Sequence, residues 1–361
     1  MFIFFISLFI IVGLIQWYSI KNALKGISYD YKFSRKLIEI DEETEMISTV
    51  TNETRRFVPF IRMVESLPTG IKVLNKSVFI KKDTLGMGFL SYNSSIYLTS
   101  RSRLQRKLKI AFIARGRYVF PGAELRGGDF LGFKETREKY EVEKEVVVFP
   151  KAIKNQKIDQ LVGGFLGDLS VRRFIMEDPI LTIGTRDYTG REPFKQISWK
   201  HVARSNQLMV KQFDYTTEMV VTIFLDTSAV GGKTINPSDF EHCFSLTRTV
   251  CQTFERKLVP FEFITNTKID SFVNNNDLLQ QGIGKQHLRL ILEKLGRAAY
   301  GTTKTYEAII NELTLNKEPN QTYVIITPRK DYSKEKLAKE LTYEQGSSEL
   351  FIYGEDYTDM G

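Results

Sequence analysis

The sequence predicts an α+β multidomain chain in three parts: an N-terminal transmembrane helix, a β-sandwich-like domain, then a doubly wound α/β domain. Three observations predict this. Met1 to Ile20 carry no charged side chain. Residues 46–150 alternate in period two between Gly, Asn and Pro punctuation. Beyond residue 176, continuous apolar strands alternate with amphipathic helices. At 361 residues the chain is long enough for two cores. A hydrophobic fraction of 42% with 26% charged residues excludes disorder as the dominant state. The formal net charge of +8 fits an anionic membrane surface or an acidic partner as well as it fits nucleic acid.

Taken in order, residues 1–20 have the length of a bilayer-spanning helix, roughly 30 Å. Trp17 and Tyr18 stand where an interfacial aromatic belt falls. A cleavable signal peptide lacks support, because there is no basic region before the apolar run and no small-x-small site after it. Lys21, Lys25, Lys32, Arg35 and Lys36 follow the span, so the positive-inside rule predicts a single-pass cell-membrane protein with its remaining domains in the cytoplasm. Residues 21–45 read as a charged connector ending in Asp41-Glu42-Glu43-Thr44-Glu45. In 46–150, Lys107 to Phe112 alternates as a half-buried strand does, and Glu145 to Phe149 reads as a more buried one. Arg115 and Arg117 read as solvated strand-end charges. A linker over 151–175, rich in Lys at its start, leads into the α/β domain over 176–361. There Met219 to Asp226 is a strand buried on both faces. Asn236 and Pro237 open a helix whose apolar stripe runs Phe240, Phe244, Thr247, Cys251, Phe254, Leu258.

Two places carry chemistry. Residues 186–211, within a basic segment over 184–213, hold Arg186, Arg191, Lys195, Lys200, Arg204 and Lys211 against Asp187 and Glu192, with Tyr188 and Trp199 as large flat anchors. They form either a docking surface for a carboxylate-rich partner or an internal staple that ties the segment to the sandwich. Asp226-Thr227-Ser228 closes the buried strand, where open α/β sheets place ligands; the plain alternative is a capped loop. Catalytic patterns are weaker. His201, His242 and His287 have no metal-ligand spacing, and Cys243 and Cys251 lie about 12 Å apart on one helix, too far to bridge. Gly282-Ile283-Gly284-Lys285 is only a fragment of a phosphate loop. No catalytic residue is assigned.

The order Arg186, Tyr188, Gly190, Ile197, Trp199, Ala203-Arg204, Leu208-Met209-Val210-Lys211, then strand, then Asp226-x-Ser228, resembles domain-of-unknown-function family fifty-eight. Arg115 to Tyr118, Asp129 to Gly132 and Phe149-Pro150 extend the resemblance upstream. It implies a von Willebrand A-like domain at 176–361 and a non-enzymatic, membrane-tethered adaptor. It further implies a MoxR-type AAA+ ATPase as partner, in the assembly or activation of membrane or envelope complexes. Partner contacts are then expected at Arg186, Tyr188, Gly190, Trp199, Arg204 and Lys211, and at the Asp226 rim. Asp226 and Ser228 become oxygen ligands for Mg or Mn. The chain departs from the pattern at Val230, at Thr327-Pro328-Arg329 where an acid is expected, and at Arg191 where Asp usually follows the glycine. Two alternatives follow: a metal-dependent ligand binder or hydrolase at the Asp226 rim, and anionic lipid or nucleic-acid binding through 186–211, nucleic acid being the less expected partner.

Overall fold

The computed structural model describes residues 7, 10–14, 17–18, 22–75, 80–82, 89–128, 134–153, 156–175, 178–190, 192–205, 207–214, 221–228, 236–270, 278–316, 321–342 and 348–357. The chain divides into two units, Met1–Lys151 with Leu292–Ala298, and Ala152–Ile291 with Ala299–Gly361.

The first unit is built of strands. One sheet runs β1 (Ile27–Phe33), β3 (Thr44–Asn52), β8 (Arg103–Phe112), β5 (Ile71–Val73). A second runs β11 (Glu135–Tyr140), β10 (Gly122–Gly128), β4 (Val58–Pro68), β7 (Phe89–Leu98), β6 (Ile80–Lys82). A third joins β2 (Leu37–Glu39), β12 (Lys144–Phe149) and β9 (Gly116–Phe120). The side-chain period of two explains β1: Ile27, Tyr29, Tyr31 and Phe33 point into the core while Ser28, Asp30 and Lys32 face water. Those outward charges make the stretch read as a connector, although it is the first strand of the sandwich. One core cluster then gathers Tyr31, Ile38, Met46, Phe112 and Phe120 from several strands.

The short segment Leu292–Ala298 belongs to this unit and shows where the two arginines go. Arg115 donates to the carbonyls of Leu295, at 2.8 Å, and Ala298. Arg117 Nε donates to Glu145 Oε2 at 2.6 Å, and Arg297 donates to the same carboxylate. Neither Arg115 nor Arg117 is a solvated strand-end charge. A Cβ on Gly296 would stand 2.5 Å from Val147 Cγ1 and 3.0 Å from Val148 O, so only glycine permits this approach.

The second unit opens with α1 (Gln156–Ile175), a helix where a linker is expected. An antiparallel ribbon follows, β13 (Asp178–Asp187) with β14 (Met209–Asp214), carrying α2 (Trp199–Ser205) in its connection. The main sheet runs β18 (Leu278–Gly282), β16 (Phe261–Thr265), β15 (Val221–Leu225), β20 (Thr322–Thr327), β21 (Ser348–Tyr353). β17 (Thr267–Ile269) pairs with β19 (Ala298–Thr302). β15 is buried at every position, as its apolar Val221, Ile223, Phe224 and Leu225 require, and the one polar residue among them, Thr222, donates its hydroxyl to Glu262. The helices are α3 (Pro237–Arg256), α4 (Gly284–Arg297), α5 (Tyr306–Leu315) and α6 (Tyr332–Leu341). Cys243 and Cys251 are free and buried in α3, and that burial drives both thiols well above the ordinary range, so neither is a ready nucleophile.

The expected fold class needs correction. Strand outweighs helix among the described residues. None of their helices is long and apolar enough to cross a membrane, and most of residues 1–20 lie outside the described set. The transmembrane anchor, and with it the single-pass, cytoplasm-facing placement, is therefore withdrawn. So is the von Willebrand A-like assignment. The α/β portion is a mixed sheet with an antiparallel edge strand, β18, accompanied by two separate two-stranded ribbons.

Candidate functional site

The main sheet reverses its winding between two neighbours. β15 connects through α3 to β16 on one side, and β20 connects through α6 to β21 on the other. The crevice beyond the carboxyl ends at such a point is where open α/β sheets bind ligands. Asp226 stands there, one residue past β15, with its backbone N–H donating to Ile326 O at 2.8 Å.

Its carboxylate is fully engaged. Oδ1 accepts from Ser228 N at 2.9 Å, Ser228 Oγ at 2.6 Å and Asn266 Nδ2 at 2.6 Å. Oδ2 accepts from Thr327 Oγ1 at 3.1 Å and from Lys334 Nζ at 2.6 Å. The Lys334 ammonium also donates to Ser228 Oγ at 3.0 Å and Ser228 O at 3.3 Å, and lies 5.3 Å over the Tyr306 ring. Asp226 and Lys334 side chains are 0% and 5% exposed, so the pair is sealed from water. Around it Thr227 takes up Asn266 Oδ1 and meets Thr267 Oγ1 at 3.1 Å.

This geometry does not fit a divalent ion. Mg²⁺ requires near-octahedral oxygen ligation. Here the carboxylate oxygen and the Ser228 hydroxyl both meet an ammonium. Among the described residues no group of three or more His, Cys, Asp or Glu side chains could hold a metal ion. Arg329, standing where an acid is expected, pairs with Asp239 at 3.0 Å. Val230 lies outside the described residues. The Asp226–Ser228 expectation for Mg or Mn is thus corrected by Lys334, which the sequence reading missed. Nor do Ser228 and Lys334 form a nucleophile and base, because an ammonium pinned by a carboxylate has no lone pair to accept the Ser228 proton.

The basic segment behaves differently. Ile197 bridges Val210, and Ser198 N donates to Met209 O at 2.8 Å. Ile197, Ser198 and Val210 are buried. These small anchors seat the connection on the ribbon and turn its large aromatics outward: Trp199 is 63% exposed and Phe194 is 74% exposed. Trp199 is therefore not the buried anchor that its size suggests. Tyr188 is half-buried, its ring 6.4 Å from that of Phe194. Glu192 organises the preceding turn by accepting from Thr189 N at 3.1 Å, Thr189 Oγ1 at 2.8 Å and Arg186 Nη1 at 2.5 Å. The Thr189 bonds first, then Arg186, hold its carboxyl down at about 2. Gly190, with φ +88° and open space at its Cβ position, makes this curl accessible.

Arg186 thus stays exposed but committed to Glu192. Arg204, Lys195, Lys200 and Lys211 are exposed, and among the described residues none of them pairs with a carboxylate. Arg191 lies outside the described residues. Beside Trp199, an open groove of about 600 Å³ lies between Gly184, Thr185, Lys200, His201 and Lys211. Ser198 Oγ stands 2.9 Å from His201 Nδ1, and Ser198 O accepts the His201 and Val202 N–H groups, so the pair closes the first turn of α2.

No family model matches the chain. A curated relative is the uncharacterized protein YeaD of Bacillus subtilis (strain 168), 24% identical over 187 residues, spanning 49% of this chain and 43% of that protein. The chain therefore covers less than half the length of that relative. Similar solved structures include a cohesin module from a Clostridium perfringens family 33 glycoside hydrolase, 16% identical, TM-score 0.24, covering 34% of this chain and 96% of the module. Another is the CARDB domain of the PF1109 protein of Pyrococcus furiosus, 15% identical, TM-score 0.23, covering 34% and 91%.

Proposed function

We propose that this chain is a non-enzymatic adaptor that docks a carboxylate-rich partner protein on the tip of the β13–β14 ribbon. The observation that carries this reading is the outward exposure of Trp199 and Phe194 amid Lys195, Lys200, Arg204 and Lys211. Exposed Trp beside Arg is the composition of interface hot spots, and uncommitted cations favour an acidic counterpart. The self-satisfied Asp226 centre and the buried cysteines support a role without chemistry of their own. The partner we propose, on the motif order Arg186 to Lys211 followed by Asp226-x-Ser228, is a MoxR-type AAA+ ATPase.

The test is titration of the full chain with a purified MoxR-type ATPase, followed by calorimetry. Trp199→Ala and Arg204→Glu should each weaken binding about tenfold or more while leaving the thermal midpoint unchanged. Wild-type chain that binds no such ATPase would sink the partner. Variants that bind as tightly as wild type would sink the surface. A parallel titration with anionic vesicles separates the lipid alternative, which predicts binding that collapses steeply with salt.

A further inference from the structure

We infer that Lys334 is the resident cation of the switch-point site. Its ammonium holds the position in which a divalent ion would be needed, and it keeps the Asp226–Ser228 loop assembled at any metal concentration.

An ammonium has three protons and no acceptor, and Lys334 Nζ has three oxygen acceptors: Asp226 Oδ2, Ser228 Oγ and Ser228 O. The aromatic face of Tyr306 covers a further side, a surface that attracts cations. Lys334 lies in the first turn of α6, where the helix dipole disfavours positive charge. Asp331, capping that helix through Ser333 N at 2.9 Å, offsets part of the cost, but its side chain is not among the acceptors of the ammonium. What holds a lysine there is the Asp226 carboxylate. Tyr306 is buried, its ring is stacked on Phe224 at 5.6 Å, and its hydroxyl donates to Lys334 O at 3.1 Å. The backbone and the head of the lysine are therefore fixed by the same neighbour. Together these make the cation a covalent part of the fold, and contacts made at this rim independent of chelation.

The experiment follows thermal unfolding of the full chain in EDTA, MgCl₂ and MnCl₂, with Mn²⁺ binding read by electron paramagnetic resonance. Wild type should keep one midpoint in all three and bind no stoichiometric Mn²⁺. Lys334→Ala should lower the midpoint by about 10 °C. Millimolar ethylammonium should restore part of that loss, whereas tetramethylammonium, which has no N–H to donate, should restore none. Stoichiometric Mn²⁺ binding by wild type that Asp226→Asn abolishes would overturn the inference, and it would do so even if Lys334→Ala failed to fold. Equal midpoints for wild type and Lys334→Ala, or identical responses to the two ammonium ions, would overturn it as well.

Discussion

Each unit holds a fully buried carboxylate against a cation, Glu65 in the first and Asp226 in the second, and the two pairs are used differently. In the first unit Glu65, on β4, accepts from Tyr29 at 2.8 Å, from Ser48 and from Arg106. Those partners lie on β1, β3 and β8 of another sheet, so the cluster spans the sandwich mid-strand. Its Glu65 end is fully buried, but Arg106 is 20% exposed and its guanidinium lies 4.5 Å over the Tyr92 ring, while its Nε is buried without a hydrogen-bond partner. In the second unit Asp226 lies past a strand end, every oxygen is satisfied, and its cation is sealed as well. A mid-strand pair acts as a strut between sheets. A strand-end pair at a switch point occupies what would otherwise be a ligand site.

Breaking one partner of a sealed pair strands the other charge, which costs about 3–5 kcal/mol. Asp226→Ala should therefore give the largest loss in a urea titration, and adding Lys334→Met should recover much of it. Glu65→Ala should cost somewhat less, because the freed Arg106 head already reaches water. Equal losses for the two would mean that the strand-end pair is no more sealed than the mid-strand one.

Gly296→Ala comes next. Its methyl group would press on Val147 and the Val148 carbonyl, and overpacking of this kind costs about 1–3 kcal/mol, read as a lower denaturation midpoint.

The smallest effect concerns pH. Glu145 is held down at about 2, first by Arg297 and then by Arg117, from an ordinary value of 4.5. Because the folded value is the lower one, its stabilisation is complete above pH 4.5 and is lost as pH falls toward 2. Glu145→Gln should flatten the fall of the thermal midpoint across that window. An unchanged slope would mean that other carboxylates set it.

The legible parts of this molecule were those with one dominant pattern. β15 is apolar on both faces and reads as buried, and Asn236-Pro237 marks the start of α3. β1 escaped because Asp30 and Lys32, pointing outward, mask the alternation of Ile27, Tyr29, Tyr31 and Phe33. Lys334 escaped for a different reason. A lysine near a helix start looks like a solvated charge, and its carboxylate lies 108 positions away in sequence. Trp199 misled through its size, since the burial falls to Ile197 and Val210 instead.

The membership of Leu292–Ala298 in the first unit bears on how the chain is made. A ribosome releases the sandwich strands long before it releases the segment that supplies Arg297 to Glu145 and carbonyls to Arg115. A fragment ending at Lys151 would therefore emerge with β12 already paired to β2 and β9 and with Arg117 already on Glu145, but with Arg115 and the second side of the Glu145 carboxylate waiting for a piece synthesised after most of the second unit.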